Sequence, residues 1–211
     1  MSSALAMPAP GPATVRLALI RSGIELFGLG YTRGILFPII RDISICIRPP
    51  ERLTLSNQLL RAYKGQAGGA KSFDSLEESL VYREVAHAEG VLTVYLRVNL
   101  DREAAFRDLL NGIGYWGTAS SFASCTGIVR ASPNLAECAQ PLSSISQHVR
   151  VDRLFACLVS EFIAAPVRWD DVMPERQSGR TQVLQLQVYI WPLAVKPQCG
   201  AGRVLERCVL I

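Results

Sequence analysis

Residues 91–131 constrain the fold more than any other stretch, because a strand pattern, a helix pattern and a glycine-rich loop follow one another there. In residues 91–100, apolar and polar side chains alternate, which is typical of a strand with one apolar face. Residues 101–112 carry apolar side chains at helical spacing behind an acidic first position, and a glycine closes the helix. After the loop, residues 121–131 are predicted to return as a second strand.

The preceding part of the chain supplies the other half of this unit. Residues 15–27 are an apolar run that we interpret as a strand, and residues 51–63 carry leucines at helical spacing. Residues 80–87 are predicted to pair with residues 91–100 in a hairpin that turns at Gly90. The resulting order, βαββαβ, is that of the ferredoxin-like, RRM-like split βαβ fold, an α+β class.

Composition changes along the chain predict four parts. Residues 1–14 are rich in proline and alanine and are expected to form a flexible leader, and residues 15–131 form the ferredoxin-like domain. Residues 132–148 are polar and rich in turn formers, which indicates a linker. Residues 149–211 contain three strand-like segments, which predict a small C-terminal antiparallel β-sheet.

The class of protein is bounded by size and composition. The 211 residues, of which 49% are hydrophobic and 19% charged, are enough for a packed core and exclude a disordered chain. No apolar run reaches the ~18 residues of a membrane span, and the N-terminus lacks the pattern of a signal peptide. Six scattered cysteines without a CxxC pair favour a reduced, cytoplasmic protein. Neither His87 nor His148 stands at metal-ligand spacing from a cysteine, so we expect no metal and no cofactor.

Arginine dominates the basic residues, with nineteen arginines against three lysines. A GC-rich genome is one explanation. The other is that guanidinium groups suit phosphate binding and base stacking. Residues 14–71 hold nine Lys or Arg against three Asp or Glu, which indicates a polyanionic partner.

Two polar surfaces are candidates for RNA contact. The polar face of residues 91–100 includes an aromatic and a basic side chain, as RNA-recognition sheets do, although an ordinary exposed sheet face explains it equally. The loop after the helix has glycines that permit close approach and two aromatic rings for stacking. Its alternative is a helix C-cap followed by core aromatics. With the N-terminal arginines, the candidate RNA-binding residues are Arg16, Arg21, Arg33, Arg41, Arg48, Tyr95, Arg97, Gly112, Gly114, Tyr115, Trp116 and Gly117.

Three further motifs have plainer interpretations. Residues 65–72 are close to a phosphate-binding loop, but Ala70 replaces a required glycine and no strand precedes, which favours a flexible basic linker. Residues 208–211 match a prenylation box, and the alternative is a last strand. No catalytic residue is assigned, although Tyr82 or His87 is available as a general base for RNA cleavage.

The order of these features resembles the RAMP superfamily of CRISPR proteins, and within it the Cas-five family. Residues 111–128 are similar to that family's segment of glycine, aromatic and glycine before a strand, and residues 189–195 followed by 202–208 resemble its closing strand pair. The family often has a basic residue after the aromatic and glycine, where this chain has Thr118 and Ala119. That departure weakens phosphate binding by the loop itself.

The resemblance implies a non-catalytic subunit of a type I Cascade complex that holds the 5′ handle of the guide RNA. Its implied partners are the neighbouring backbone and large subunits, with target DNA contacted indirectly and no membrane. Either residues 30–48 or residues 64–75 supply a thumb-like projection. The main alternative is a RAMP-type endoribonuclease that processes precursor guide RNA. A more distant one is a lipidated or nucleotide-binding switch protein.

Overall fold

The structure, a computed structural model, describes residues 3–4, 6–65, 76–117, 121–145, 154–162, 167–172, 184–196 and 202–210, with only the backbone of residues 3–4, 60–65 and 76–82, which lie within strands. The described helices are α1 (Pro12–Phe27), α2 (Leu29–Tyr31), α3 (Phe37–Asp42), α4 (Glu103–Asn111) and α5 (Trp169–Val172), with a π-helical turn (Thr32–Leu36) between α2 and α3 and 3-10 turns at Leu100–Arg102, Leu135–Glu137 and Leu142–Ser144. The described strands are β1 (Ser3–Ala4), β2 (Ile45–Arg48), β3 (Arg52–Gly65), β4 (Leu76–Glu89), β5 (Thr93–Leu96), β6 (Gln140–Pro141), β7 (Leu154–Phe162), β8 (Leu184–Val195) and β9 (Arg203–Arg207).

A mixed α+β architecture results, with one large and mainly antiparallel sheet and a separate two-stranded sheet. Among the described strands, the large sheet has the order β1-β4-β3-β9-β8-β6, and β7 pairs with β8. The small sheet joins β2 and β5, with Cys46 opposite Tyr95. The three predicted C-terminal strands are confirmed as β7, β8 and β9. They do not form a separate sheet, because β9 pairs with β3 as well as with β8.

The first predicted strand is wrong, because residues 15–27 belong to helix α1. Pro12 stands at the start of the helix, where its missing N–H costs no hydrogen bond, and Gly28 follows the last turn with a φ of 80°. The buried residues of α1 include Val15, Ala18, Leu19 and Ser22, which is the spacing of one helical face. The preceding residues are not a flexible leader throughout, since Ala9 and Ala13 are buried in the core.

The predicted helix over residues 51–63 is also wrong, since this stretch is strand β3. Leu53 and Leu55, two positions apart, are both buried, as the alternation of a strand requires. Leu59, which the helical spacing placed on the same apolar face as Leu55, is 52% exposed. β4 confirms the strand predicted at 80–87, but it pairs with β3 instead of β5. The hairpin predicted to turn at Gly90 is therefore not found. Gly90 lies at a bend after β4 with a φ of 90°, and a Cβ at this position would lie only 3.2 Å from the Glu51 backbone nitrogen.

Two further stretches differ from their predictions. The strand predicted over residues 121–131 is not found, since among these residues only Phe122 makes a bridge, to Tyr115. The linker predicted over residues 132–148 is instead packed into the fold in its described part, because Cys138 is fully buried and β6 pairs with β8. The βαββαβ order is therefore not found in the described residues, and a ferredoxin-like topology is not confirmed.

Helix α1 lies at the centre of the hydrophobic core. Its buried face contributes Val15 and Leu19, while α4 contributes Phe106 and Leu109. The fully buried Trp191 of β8 donates its indole N–H to the Cys157 sulfur at 3.1 Å. The Phe37 and Trp169 rings meet edge to face at 5.4 Å between centroids. Because Phe106 and Leu109 of α4 are buried in the same core as α1, the end of α4 is held against α1. The loop that follows α4 therefore starts from a fixed position.

Candidate nucleic-acid interface

The loop at residues 112–117 is fixed to helix α1 at its first residue. The Ser22 hydroxyl is buried and donates to the Leu109 carbonyl at 2.8 Å. A Cβ at Gly112 would lie 2.6 Å from the Ser22 Oγ and 3.2 Å from Leu26 Cδ1. Gly112 therefore does more than stop a helix, because its lack of a side chain lets α1 and α4 approach each other.

Tyr115 is held from the other side by an arginine of α1. The guanidinium carbon of Arg21 lies 3.5 Å from the centroid of the Tyr115 ring, which is a close cation–π contact. Glu25 lies one helical turn along, with its carboxylate 3.5 Å from the Arg21 Nε. Trp116 is half-buried and packs against the core next to the buried Ile113. The two aromatic residues thus contribute to anchoring the loop.

The chain returns from this loop as a narrow turn. The Trp116 N–H donates to the Ser121 carbonyl and the Ala123 N–H donates to the Gly114 carbonyl, each at 3.0 Å. Gly117 has a φ of 79°, which explains a glycine at that position, while residues 118–120 lie outside the described residues. Thr118 and Ala119, where the Cas-five pattern often has a basic residue, therefore lie outside the described residues.

The outer side of the turn is open. A Cβ at Gly114 would have no heavy atom within 4 Å, and the Phe122 side chain is 87% exposed. An exposed aromatic ring beside an unobstructed glycine backbone is a surface on which a flat, unstacked base can lie. Sequence reasoning identified Gly114 but missed Phe122, which the strand pattern of residues 121–131 placed in a sheet.

The arginines predicted to bind RNA from the N-terminal region are paired with carboxylates. Arg16 is 11% exposed, forms an ion pair with Glu161 and donates to the Ile43 carbonyl at 3.0 Å. Every described arginine side chain of residues 14–59 has a carboxylate oxygen within salt-bridge distance. The pairs are Arg16–Glu161, Arg21–Glu25, Arg33–Asp170, Arg41–Asp42, Arg48–Glu137 and Arg52 with Glu89 and Glu206.

Two of these pairs also lower the pKa of the acid, at Asp42 and at Glu137. The bidentate hydrogen bond from Arg41, at 2.6 and 2.7 Å, lowers the pKa of the Asp42 carboxyl. Hydrogen bonds from Asn134 and then Arg48 lower the pKa of Glu137. Among the described side chains of residues 14–59, the positive charge is thus compensated largely by acids that are distant in sequence, while Arg61, Lys64 and Lys71 of the predicted basic patch lie outside the described side chains.

Tyr95 and Arg97 lie on a different element from the loop. Tyr95 is half-buried on β5, and Arg97 follows that strand with its backbone N–H donating to the Ser44 carbonyl at 3.1 Å. Among the described residues, no hydrogen bond, ion pair or ring contact joins either side chain to residues 112–117. Arg97 is exposed, and its side chain has no carboxylate partner among the described residues. The same is true of Arg83 and Arg168.

A long two-stranded arm is the feature that sequence reasoning missed most completely. β3 and β4 pair in continuous register from Arg52–Glu89 to Gly65–Leu76. β9 covers β3 only as far as Leu55, so ten pairs, from Ser56–Val85 onward, extend about 33 Å beyond it at ~3.3 Å per residue. Of the described strands, only the two-residue β1 pairs with this part, at Tyr82 and Arg83, while Arg203 at the start of β9 reaches it through an ion pair with Glu84. The glycines of residues 65–69 were the available signal for a strand turn.

The other sequence motifs fall partly on this arm. His87 is exposed on β4, opposite Thr54. The side chain of Tyr82, His148 and residues 66–72 of the phosphate-loop-like motif lie outside the described part. Cys208 is half-buried and its N–H donates to the Pro192 carbonyl at 2.9 Å, so the prenylation-box cysteine follows β9 as part of the fold.

Two general properties of the described residues bear on the class of site. No group of three or more His, Cys, Asp or Glu side chains within them is arranged to hold a metal ion. No helix in the same parts of the chain combines the length and apolar character needed to cross a membrane. Comparison with protein-family models and with curated proteins finds no match to this chain.

Proposed function

We propose that the chain is a non-catalytic RNA-binding subunit of a type I CRISPR surveillance complex of the Cascade kind. In this role it holds the 5′ handle of the guide RNA, contacts the backbone and large subunits, and meets target DNA only indirectly. The observation that carries the proposal is the turn after α4. This turn is fixed to α1 where it begins, and it presents Gly114 and the exposed Phe122 at the surface. The resemblance to the Cas-five family of RAMP proteins supports it, and the ferredoxin-like topology of such a domain remains a prediction for this chain.

The chemistry of the turn suits a single-stranded RNA better than a duplex. Sequence-tolerant binding of single strands rests on aromatic rings that stack on bases, and Phe122 offers such a ring at the surface. Gly114 leaves room for a sugar–phosphate backbone to pass close to the peptide. The stacking of Arg21 on Tyr115 helps to hold the turn in place for such a contact.

The arm supplies the second element of the proposal. Residues 30–48 and residues 64–75 are both candidates for a thumb-like projection. The first candidate is helical up to Asp42, continues into β2, and packs on the core through Leu36, Phe37 and Ile40. The β3–β4 arm, whose two strands are joined by residues 66–75, is therefore the candidate that remains.

Electrostatics makes a distinguishing prediction about affinity. Most described arginines are already paired, so phosphate contacts are expected chiefly from the exposed Arg83, Arg97 and Arg168. Three phosphate contacts on a single strand correspond to a slope of about −2 in a plot of log affinity against log salt. A much steeper slope would show that the carboxylate pairs open on binding or that basic side chains outside the described residues also contact phosphates.

The proposal is tested with the purified full chain and a fluorescently labelled single-stranded RNA. We expect Phe122→Ala to weaken binding about 5- to 150-fold, equivalent to the ~1–3 kcal/mol of one stacked base. Val129→Ala is the matched control, because Val129 is 82% exposed on the same segment but has no aromatic ring. Equal affinity of the two variants would contradict the role of Phe122. Specific cleavage of the RNA that is lost in His87→Ala or Tyr82→Phe would replace the proposal by the endoribonuclease alternative.

A further inference from the structure

One carboxylate of the β3–β4 arm is buried. The Glu84 side chain is 7% exposed, whereas the Glu89 side chain on the same strand is 68% exposed. The register of the strands explains the difference. Ala86 lies opposite the buried Leu55, and Glu84, two positions along β4, shares that face of the sheet. A buried carboxylate needs hydrogen-bond donors for its oxygens, because leaving them without partners is costly.

Two donors from distant parts of the chain meet this carboxylate. Arg203, at the start of β9, forms an ion pair with the Glu84 Oε1, and the Ala6 backbone N–H donates to the Glu84 Oε2 at 3.1 Å. The Arg203 guanidinium carbon also lies 5.9 Å from the centroid of the Phe155 ring on β7. Glu84 therefore joins the N-terminal residues, the arm and β9 at one point.

The N-terminal segment, which comprises β1 and residues 6–11, is held differently at its two ends. At the first end, β1 makes only two residue pairs with β4, and the Ala6 N–H bonds to Glu84. At the other end, Ala9 is buried in the core and Gly11 leaves no room for a side chain against Val159. Helix α1 begins directly afterwards. The end next to α1 is therefore part of the core, whereas the β1 end depends on two strand pairs and one carboxylate.

We propose that the N-terminal segment is a strap that fastens the β3–β4 arm to α1, with the Glu84 carboxylate as its latch. The strap opens at its β1 end and stays anchored at Ala9 and Gly11. When it is closed, it covers the edge of β4 at Tyr82 and Arg83. When it is open, this edge has no partner among the described strands, and an unpaired edge invites pairing with another chain.

The strap connects the arm to the helix that also holds the turn after α4. It ends where α1 begins, and α1 fixes the turn through the Ser22 hydroxyl and through the stacking of Arg21 on Tyr115. The contacts of α1 with the turn do not involve Glu84 or Ala6. Opening of the strap at Glu84 therefore releases the edge of β4 from α1 and leaves the turn in place.

The test is hydrogen exchange of the full chain, resolved to single amides. Glu84→Gln keeps the size of the side chain but leaves only neutral hydrogen bonds, so we expect the amides of Ala6 and of residues 82–84 that face β1 to exchange about 5- to 10-fold faster. Glu89→Gln is the matched control, because it removes the same charge from the same strand, and Glu89 pairs with Arg52 instead of the N-terminal segment. Exchange in α4 is expected to stay unchanged in both variants, since the strap opens locally.

Equal exchange at these amides in Glu84→Gln and Glu89→Gln would overturn the proposal, and so would an equal acceleration in α4, which would indicate a loss of overall stability. If Glu84→Gln does not fold, Ala6→Pro decides, because it removes the donor and leaves the pair of Glu84 with Arg203 in place. Unchanged exchange at residues 82–84 in Ala6→Pro would contradict the latch. None of these results depends on whether the chain binds RNA.

Discussion

The turn after α4 and the β3–β4 arm are both exposed, but they are held in different ways. The turn is fixed by side chains of α1, through the contact of Ser22 with Gly112 and the stacking of Arg21 on Tyr115. The outer arm is held mainly by the ladder between its own two strands, since β9 pairs only with its base and the two-residue β1 pairs with it only at Tyr82 and Arg83. A turn whose position is set by the core suits recognition of a base, whereas the outer arm makes few contacts with the core.

The largest expected effect compares the base of the arm with its outer part. Leu53→Ala is expected to reduce the free energy of unfolding by about 2–5 kcal/mol, because Leu53 is 1% exposed and its removal leaves a cavity. Leu59→Ala lies on the same strand at 52% exposure and is expected to change it by less than about 0.5 kcal/mol. Urea unfolding measures both. Similar losses for the two variants would show that the outer arm is part of the core.

The anchoring of the turn is tested by two glycines. Gly112→Ala is expected to cost about 1–3 kcal/mol, since the new methyl group would displace Ser22 from its hydrogen bond with the Leu109 carbonyl. Gly114→Ala, two residues on, meets no atom within 4 Å and is the matched control. Thermal unfolding of the pair measures the difference. A neutral Gly112→Ala would mean that α1 and α4 do not need their close approach.

A smaller effect concerns the cation that holds the turn. Arg21→Gln is expected to lower the free energy of unfolding by about 0.5–1 kcal/mol through loss of the cation–π contact with Tyr115. Hydrogen exchange at the Trp116 and Ala123 amides is expected to become faster, because both bonds lie within the turn. Exchange in the β3–β4 arm is the internal control and should not change. Unchanged exchange at both turn amides would show that Arg21 does not hold the turn.

The smallest expected effect concerns the extended segment after Phe122. The question is whether side-chain contacts hold this segment to α4, as contacts with α1 hold the turn. Hydrogen bonds from Arg130 and then Arg107 lower the pKa of Glu103, and Arg107 also donates to the Ile128 carbonyl at 3.2 Å. A pKa below the unfolded value of about 4.3 means that this stabilisation is present above that pH and is lost as the pH falls through the folded-state pKa.

Glu103→Gln is therefore expected to make unfolding less dependent on pH below about pH 4.3. Chemical denaturation across the acid range measures this slope in the wild type and in the variant. Identical slopes in the wild type and in the variant would show that the pairing of Glu103 with Arg130 and Arg107 does not stabilise the folded chain.

Regular patterns with one interpretation were predictable from the sequence, and patterns with two were not. β8 alternates leucine with glutamine, and α4 combines helical spacing with a closing glycine, so both were predicted correctly. Residues 15–27 are apolar almost throughout, and such a run does not distinguish a strand from a buried helix. Leu55, Leu59 and Leu60 fit a helix in spacing, but pairing of β3 with β4 and β9 overrides that local preference.

The candidate site was predictable in its loop and not in its charges. The glycines and aromatics of residues 112–117 are adjacent in sequence, so their grouping required no tertiary information. The arginines appeared free because their partners are distant: Glu161 lies 145 positions after Arg16, and Asp170 lies 137 after Arg33. Phe122 was predicted to lie in a strand. Among the described residues it makes only an isolated bridge to Tyr115, and its ring is exposed.

The position of β9 between β3 and β8 has a consequence for synthesis of the protein. Arg52 and Glu206, which meet across this seam, are 154 positions apart, so β3 is made long before the strand that joins the two halves of the sheet. Until then, the nascent chain has one edge of β3 and one edge of β8 unpaired, and such edges invite pairing with other chains. Closure of the sheet by β9 is therefore a late, long-range step of folding, and the exposed edges before it are the stage at which the chain is most prone to aggregate.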